Sequence, residues 1–431
     1  MSFYFGFSQE PILSAWHYNT TNKKASYYST SGSLQNPVFT LVDDTDIDAD
    51  ILEVAYDDDW IYVRSDGMTD NMGQFQNAGS PSAQGYVWKF PRNPVEATVK
   101  EEVNITFAVG VLTNGIPIFG NGDGKAWDGM AQANGNVQNG YWNGNAYYSE
   151  GFTLDTAFAA HPQQDGAYHT HATPYRLYDG TGNSGHSPIV GFAHDGFPIY
   201  GPFGYSTADD ASSAVQRMES GYSLRNISER NTFAGSTTPL RPEERGPDVS
   251  VDHPLGEYIE DYEYLEGQGD LDEHNGRFCV TPDYPNGTYA YFVTTDQNGD
   301  PAFPYYIGAT YYGNGVDENN SATSQVDFPT SGVTTADPDN LPTALSSANT
   351  LIALSFFPNP ANDQVQIKVE GASKIQMISI ISQEGRMISN TNGNGQNEIS
   401  VNVSNLVTGT YYISILTEQG VQTQKLIVGA Q

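Results

Sequence analysis

The stretch Ala160–Tyr205 reads AHPQQDGAYHTHATPYRLYDGTGNSGHSPIVGFAHDGFPIYGPFGY, and five of the chain's eight histidines lie in it. A random distribution would place about one histidine in a stretch of this length. The five are His161, His169, His171, His186 and His194. Such clustering requires a chemical cause.

His169 and His171 are two residues apart, so on a β-strand their side chains share one face. His161 precedes them across the polar segment Gln163–Gly166, a turn that folds it back beside the pair. Converging neutral imidazoles suit zinc, copper or iron. The alternative is that these histidines form hydrogen bonds within a polar aromatic core. We therefore expect copper or zinc at this cluster and keep the core interpretation open.

His186 is a weaker fourth candidate for the metal. It lies beside Pro and Gly residues, as His194 does, and each of the two can instead cap a turn. If the cluster holds a metal, three imidazoles leave an open position for a water molecule, whose pKa the metal lowers. Glu150 and Asp195 are the candidate catalytic bases for that water.

The composition limits the class of partner. The 431 residues contain 18 Lys plus Arg and 51 Asp plus Glu, which gives a net charge of -33. Such a surface repels phosphate backbones and anionic lipid surfaces, so nucleic acid and membrane binding are disfavoured. No apolar run is long enough to span a membrane. Cys279 is the one cysteine, so no intramolecular disulfide forms.

Many Tyr, Gly and Pro residues favour short strands joined by turns, and the sequence predicts a mainly β protein. Ile51–Arg64 is predicted to be a hairpin, and Asn114-Gly115 marks the turn of a second one. Residues 27–50 are expected to form a loop. The alternating Asp44, Asp46, Asp48 and Asp50 make calcium an alternative ion there, although the Gly and Glu of a helix-loop-helix calcium site are missing. An acidic loop in solvent explains the same pattern.

Composition changes towards the C-terminus. Residues 314–349 are rich in Ser, Thr, Asp, Asn and Pro and are predicted to be a flexible linker. Residues 350–431 alternate apolar and polar side chains in five segments, which predicts a small β-sandwich of the immunoglobulin-like type. At the other end, residues 1–15 look like the remnant of a signal peptide, with a mature chain that begins near Gln9.

Two family resemblances arise from these segments. Residues 350–431 resemble the C-terminal sorting domain of cargo of the type IX secretion system, through FFPNPANDQVQI at 356–367, the EGR turn at 384–386, VSNLVTGTYYISI at 403–415 and the terminal KLIV. The resemblance implies export by that machinery across the outer membrane of a Gram-negative cell. It also implies removal of the tail, with the protein then released or attached to the cell surface.

Residues 16–313 resemble the YHYH domain family. The resemblance lies in NGIPIFGNGDG, HPQQDGAYHTH, HSPIVGFAHDGFPIYGPFGY, LDEHNGRFCVTPDYPNGTYAYF and PAFPYYIGATYYG. The family motif is Tyr168-His169-Thr170-His171 here, with Thr in place of the second Tyr. Because the motif keeps the histidines together, the resemblance favours a metal at the cluster, but it implies no settled activity.

Two functional classes follow from the sequence. The first is a secreted or surface protein that binds a transition metal, with metal-dependent catalysis on an unknown substrate as one version. The alternative is a non-catalytic extracellular module that binds polysaccharide or another surface component through its aromatic residues and is stabilised by calcium.

Overall fold

The computed structural model describes residues 10–33, 36–76, 79–136, 140–315, 326–339, 341, 354–369, 374–382, 387–417 and 420–429. The predicted start of a mature chain near Gln9 lies outside these residues. Within them, no helix is both long and apolar enough to cross a membrane.

Strands dominate the described residues, and the α-helices are short. The helices are α1 Pro11–Ser14 and α2 Ala146–Glu150. The strands before residue 300 are β1 Lys24–Ser33, β2 Asn36–Asp48, β3 Ile51–Tyr56, β4 Trp60–Ser65, β5 Tyr86–Pro91, β6 Ala108–Leu112, β7 Pro117–Phe119, β8 Gly122–Asp128, β9 Ala133–Asn136, β10 Trp142–Asn145, β11 Ala160–Pro162, β12 Tyr168–Thr170, β13 Ile189–Ala193, β14 Pro198–Tyr200, β15 Phe203–Tyr205, β16 Val215–Arg217, β17 Tyr222–Leu224, β18 Tyr262–Tyr264, β19 Gly276–Cys279 and β20 Thr288–Phe292. The later strands are β21 Thr334–Thr335, β22 Leu354–Phe357, β23 Gln364–Val369, β24 Ile375–Ser382, β25 Met387–Gln396, β26 Glu398–Asn402, β27 Gly409–Thr417 and β28 Gly420–Val428. The mainly β prediction is confirmed.

An eight-stranded sheet in the order β11-β12-β7-β6-β13-β14-β20-β19 forms the centre of the large domain, as far as the described residues show. Its pairs are antiparallel except β12 with β7 and β14 with β20. Strands such as AVGVL in β6 and IVGFA in β13 are apolar throughout because both faces of the sheet are buried. One face packs against the sheet of β3, β4 and β5, and the other against the tyrosine-rich segment 303–312.

Both predicted hairpins are confirmed. β3 pairs antiparallel with β4, and β6 pairs with β7 through the Asn114-Gly115 turn. Gly115 has φ +85°, and a Cβ there would lie 2.7 Å from the Cβ of Ser65. Glycine is therefore required both by the backbone conformation and by the close packing of this turn.

The loop expected at residues 27–50 is wrong, because β1 and β2 form a long antiparallel hairpin there. The alternating acidic residues lie on or beside β2, and several have partners within the protein. Lys24 Nζ lies 2.8 Å from Asp48 Oδ1, and Ser26 Oγ donates to Asp43 Oδ1 at 2.9 Å. Asp44 accepts the backbone N–H of Asp46. Asp44 and Asp48 thus have partners within the hairpin, and calcium binding stays a prediction.

Part of the predicted linker is attached to the large domain. β21 pairs antiparallel with β3, placing Thr334 opposite Tyr56. Ala336 and Leu341 are both buried in the core below that sheet. Composition suggested a linker because few apolar residues occur there, but these two side chains suffice to fix the segment. Residues 334–336 and Leu341 therefore pack on the large domain and do not form a flexible linker. Residues 316–325 and 342–349 of the predicted linker lie outside the described residues.

Two sheets form the C-terminal domain, β22-β23-β26 and β25-β24-β27-β28, and a separate apolar core lies between them. The predicted sandwich is confirmed. The five predicted strands correspond to β23, β24, β26, β27 and β28, and the structure adds β22 and β25. Tyr412 also contacts Phe278 of the large domain, with ring centroids 4.6 Å apart.

We expect Leu341→Ala to lower the free energy of unfolding of the large domain by about 2 kcal/mol, because the variant leaves a cavity under the β3–β21 pair. Val251→Ala is the matched control, since Val251 is 98% exposed and should change stability very little. Urea unfolding monitored by tryptophan fluorescence measures both variants. Equal urea midpoints for Leu341→Ala and Val251→Ala would show that the Leu341 side chain does not stabilise the domain.

Candidate metal centre

The β11–β12 hairpin places the histidine cluster at the edge of the eight-stranded sheet. His161 on β11 is directly opposite His169 on β12 in the antiparallel register. His171 follows β12 immediately, and its ring lies edge-on to that of His169 with centroids 4.8 Å apart. All three side chains are buried. The predicted fold-back of His161 through the polar turn is therefore what the structure shows.

The three rings point their Nε2 atoms towards one another. One ligating nitrogen from each of His161, His169 and His171 lies within 4.8 Å of the other two. The Nε2 atoms of His169 and His171 are 3.0 Å apart. Among the described residues, these three form the one group of at least three His, Cys, Asp or Glu side chains close enough to share an ion.

Backbone carbonyls determine the tautomers of two of the rings. The Nδ1 of His169 lies 2.9 Å from the Ala167 oxygen, and the Nδ1 of His171 lies 2.8 Å from the Gly120 oxygen. A carbonyl oxygen can only accept, so each Nδ1 carries the proton and donates it. In the neutral ring the Nε2 is then an unprotonated lone pair that faces the cluster.

The third ring is oriented by a hydroxyl. His161 Nδ1 lies 2.7 Å from the Oγ1 of Thr153, and that hydroxyl donates its own proton to the Glu150 carbonyl at 2.7 Å. Because the hydroxyl proton is already used, His161 Nδ1 must be the donor in this pair. The Nε2 of His161 is therefore a lone pair as well.

Three lone pairs directed at one another repel unless a positive charge lies between them. Protons are poor candidates, because burial lowers the pKa of each imidazole, in His161 to about 3. Each neighbouring histidine, when charged, lowers the pKa of His169 further. The cluster is therefore neutral at physiological pH, and it offers three nitrogen ligands to a cation.

Glu150 lies at the mouth of the cluster, at the end of α2. Its Oε2 is 3.6 Å from the Nε2 of both His161 and His171. Burial and the charge of Asp123 raise the pKa of this carboxyl to about 7, while Lys125 opposes the shift. The sequence-based choice of Glu150 as a carboxylate for this site therefore agrees with its position.

A cavity of about 470 Å³ opens onto the three histidines. Phe119 forms one wall, with its ring 4.2 Å from that of His169 between centroids. The described lining is completed by residues of the segment before β6, of the β8 strand and of the β11–β12 turn, namely Thr106, Gly122, Asp123, Gly124, Gln163, Gln164 and Asp165. A small molecule can therefore reach the Nε2 atoms from solvent.

His186 lies outside the cluster. Its ring packs beside Tyr200, and its Nδ1 lies 2.8 Å from the Ser187 oxygen. Burial lowers the pKa of His186, and the positive charge of Arg277 lowers it further. A guanidinium that repels a proton also repels a metal cation. The structure therefore does not bring His186 to the other three candidates as a fourth ligand.

Asp195 is also apart from the cluster. It is fully buried and accepts the Tyr291 hydroxyl at 2.6 Å and the Gly313 N–H at 2.8 Å. Burial raises its pKa to about 6. These bonds join the turn after β13 to β20 and to the segment after residue 310, which is a structural role, and the structure does not place Asp195 in the cavity as a base.

Sequence reasoning missed the residues that orient the rings. Thr153 lies on a 3-10 helix eight residues before its histidine, and Gly120 lies fifty-one residues before His171. Neither spacing gives a sequence signal. Asp155 accepts the backbone N–H groups of Ala157 and Phe158, and so shapes the turn that leads into β11.

Comparison with known families identifies both parts of the chain. Residues 355–429 match the family described as secretion system C-terminal sorting domain. A chain with this domain is an exported protein handled by the type IX secretion machinery, with attachment to the outer surface or release. Residues 87–303, half of the chain, match the family described as YHYH protein. The chain belongs to the YHYH protein family.

Comparison with curated proteins gives no match. Among solved structures, a superoxide reductase (neelaredoxin) from Ignicoccus hospitalis is 15% identical, with 20% of this chain and 86% of that chain covered and a TM-score of 0.16. At that TM-score the likeness says nothing about fold or function.

His194 allows a test of how the protein responds to acid. It is fully buried between the rings of Trp88 and Phe90, and neither ring nitrogen has a hydrogen-bond partner among the described residues. Burial lowers its pKa to about 3. Between pH 6.5 and about 3, the unfolded chain therefore binds a proton that the folded protein does not, and stability falls as pH falls.

We expect His194→Phe to remove this acid-linked loss. The difference in unfolding free energy between the variant and the unmodified protein should be about 3 kcal/mol more favourable to the variant at pH 4.5 than at pH 7.5. The lower pH lies about two units below the unfolded pKa, and each unit corresponds to about 1.4 kcal/mol. Urea unfolding at the two pH values measures the difference. If the variant changed the free energy of unfolding equally at the two pH values, His194 would not be kept neutral by burial.

Proposed function

We propose that this YHYH protein binds one transition-metal ion, copper or zinc, through the Nε2 atoms of His161, His169 and His171. The observation that supports the proposal is the set of three hydrogen bonds that fix every Nδ1 as a donor. Metal-bound histidines commonly donate their other ring N–H to a carbonyl, a carboxylate or a water. The orientation that a metal requires is therefore already present in the protein.

The spacing of the ligand atoms suits a tetrahedral ion. Zinc–nitrogen bonds of about 2.0 Å place tetrahedral ligand atoms about 3.3 Å apart. The distance between the Nε2 atoms of His169 and His171 is 3.0 Å, and Glu150 Oε2 is 3.6 Å from two of the nitrogens. The ligating nitrogens of all three histidines lie within 4.8 Å of one another, so side-chain adjustments can bring them to bonding distance of one ion.

The open side of the cluster supports a metal-dependent reaction. A metal held by three imidazoles supplies Lewis-acid activation of water at its remaining position. The Glu150 carboxylate lies on the cavity side and is positioned to take a proton from such a water. The substrate would enter through the 470 Å³ cavity, whose polar lining can form hydrogen bonds with it.

Export fits this chemistry. We further propose that the producing organism is a Gram-negative bacterium and that the sorting domain is removed after passage across the outer membrane. A metal centre with three buried nitrogen ligands and no exposed thiol suits the outside of the cell, where thiols oxidise. Cys279, the one cysteine, is buried in the described structure.

The metal proposal predicts about one zinc or copper ion per chain in protein produced without a polyhistidine tag and dialysed against that metal. His169→Ala and His171→Ala should each reduce this to near zero, because each removes one coordinate bond and leaves the ion with two fixed nitrogens. Mass-spectrometric metal analysis measures the content, and circular dichroism checks the fold. Wild-type protein that stays metal-free after dialysis would contradict the proposal.

Two matched controls separate metal loss from general damage. His186→Ala should keep the metal, since that histidine lies beside Arg277 and outside the cluster. Thr170→Ser should also keep it, because the Thr170 hydroxyl bonds to the carbonyls of Phe158 and Ala172 and its side chain does not line the cavity. Loss of metal in either control would mean that metal content depends on the stability of the protein and not on coordination by the three histidines.

Removal of the sorting domain should keep the protein inside the cell envelope. A chain that ends at residue 341 retains the large domain and its β21 strand but lacks the segment that the secretion machinery handles. We expect it in the periplasm, whereas the full chain reaches the surface or the medium. Immunoblotting of cell fractions measures this, and recovery of the shortened chain in the medium would show that another signal directs export.

A further inference from the structure

The cavity in front of the three histidines is lined by acidic groups. Asp123, Glu150 and Asp165 all border it, and no Lys or Arg is among its described lining residues. Lys125 is exposed and lies close enough to Glu150 to affect that group's pKa, but it does not line the cavity. A ligand that approaches the metal therefore passes between carboxylates.

Two of these carboxylates are held in place by the backbone. Asp123 Oδ1 accepts the Lys125 N–H at 2.8 Å, and the side chain packs against Gly144, where a Cβ would lie 2.4 Å from that oxygen. Asp165 Oδ1 accepts the Ala167 N–H at 3.1 Å in the β11–β12 turn. Because both groups are fixed, their charges do not swing away when a ligand enters.

The carboxylates of the cavity offset the charge of a bound divalent ion. Three neutral imidazoles bring no charge, so the two positive charges face Asp123, Asp165 and, when it is ionised, Glu150. The whole chain adds a net charge of -33. An anion is therefore repelled by these carboxylates on its approach, and at the open coordination position they offset part of the attraction of the ion; the low dielectric of a partly buried site strengthens both effects.

From this arrangement we propose that the metal pocket selects by charge: it favours neutral ligands at the open coordination position and weakens the binding of anions. Asp123 and Asp165 are the specificity-determining residues. Gln163 and Gln164, beside them on the rim, supply amide donors and acceptors for an uncharged polar group. Substrates whose reacting group is a phosphate, sulfate, carboxylate or superoxide ion are disfavoured, and neutral groups of a saccharide or peptide fit. This inference rests on the proposed metal centre.

Azide and imidazole distinguish the two ligand classes. The protein is loaded with copper(II), its metal content is measured, and each probe is titrated at pH 8 while the copper absorption bands are recorded. Azide is an anion, and imidazole is mostly neutral at this pH. We expect Asp123→Asn and Asp165→Asn each to tighten azide binding about tenfold at low salt, because one charge several ångströms from the bound anion is removed. Imidazole affinity should stay within twofold.

Asp252→Asn is the matched control, since Asp252 is exposed and does not line the cavity. It removes one charge from the protein without changing the pocket and should leave both affinities unchanged. The effect of the two pocket variants should shrink in 0.5 M salt as the charges are screened. Asparagine preserves the size and the Oδ1 acceptor of each aspartate, so folding should be kept.

The outcomes separate the two proposals. Failure of the wild-type protein to load copper or zinc would overturn the metal centre and the charge selection together. Stoichiometric copper with equal azide affinity in wild type, Asp123→Asn and Asp165→Asn would overturn the charge selection alone. A tenfold change in Asp252→Asn as well would also overturn it, because the effect would then come from the overall charge and not from the pocket.

Discussion

The Nδ1–H hydrogen bonds of three buried imidazoles are the constraint on which this structure's chemistry depends. Each one commits the ring proton to an acceptor outside the cluster and leaves the Nε2 lone pair facing inward. A ring that was free to turn could reduce the repulsion between lone pairs by rotating or by exchanging tautomers. Here the acceptors belong to three separate segments: one before β12, one after β7 and one on the 3-10 helix at Gly151–Thr153. Rotation or tautomer exchange of any ring would therefore break its Nδ1–H hydrogen bond.

The sheet makes these acceptors available at fixed distances. β12 pairs in parallel with β7, so the chain that leaves β7 at Gly120 runs beside the chain that leaves β12 at His171. Gly120 also approaches the backbone of residues 104 and 105 so closely that a Cβ would lie 2.3 Å from the Asn104 oxygen. Any larger residue would displace the carbonyl that His171 needs. The apolar strands buried on both faces of the sheet thus supply the rigidity that the polar cluster requires.

The sequence predicts this architecture where local chemistry determines structure. Asn114-Gly115, the alternating tail segments and the spacing of His161, His169 and His171 each have a short-range physical cause, and the structure agrees with them. Prediction failed where long-range pairing overrides composition. Polar β1 and β2 form a hairpin from residues expected to be a loop, the Asn-rich β25 was not recognised as a strand, and Leu341 anchors a supposed linker. At the site, Thr153 and Gly120 could not be predicted because only the folded chain brings them to the rings.

The site combines buried, fixed imidazoles with carboxylates that are accessible to solvent. The imidazoles are buried, neutral and oriented, which suits them to hold an ion but leaves its charge uncompensated. The carboxylates that can balance it, Glu150 first among them, lie towards solvent, with 31% of the Glu150 side chain exposed. A divalent ion would therefore be stabilised by the same acidic rim that repels anionic ligands. Because stability of the ion and selection of the ligand depend on one set of charges, neither property can be changed at this rim without changing the other.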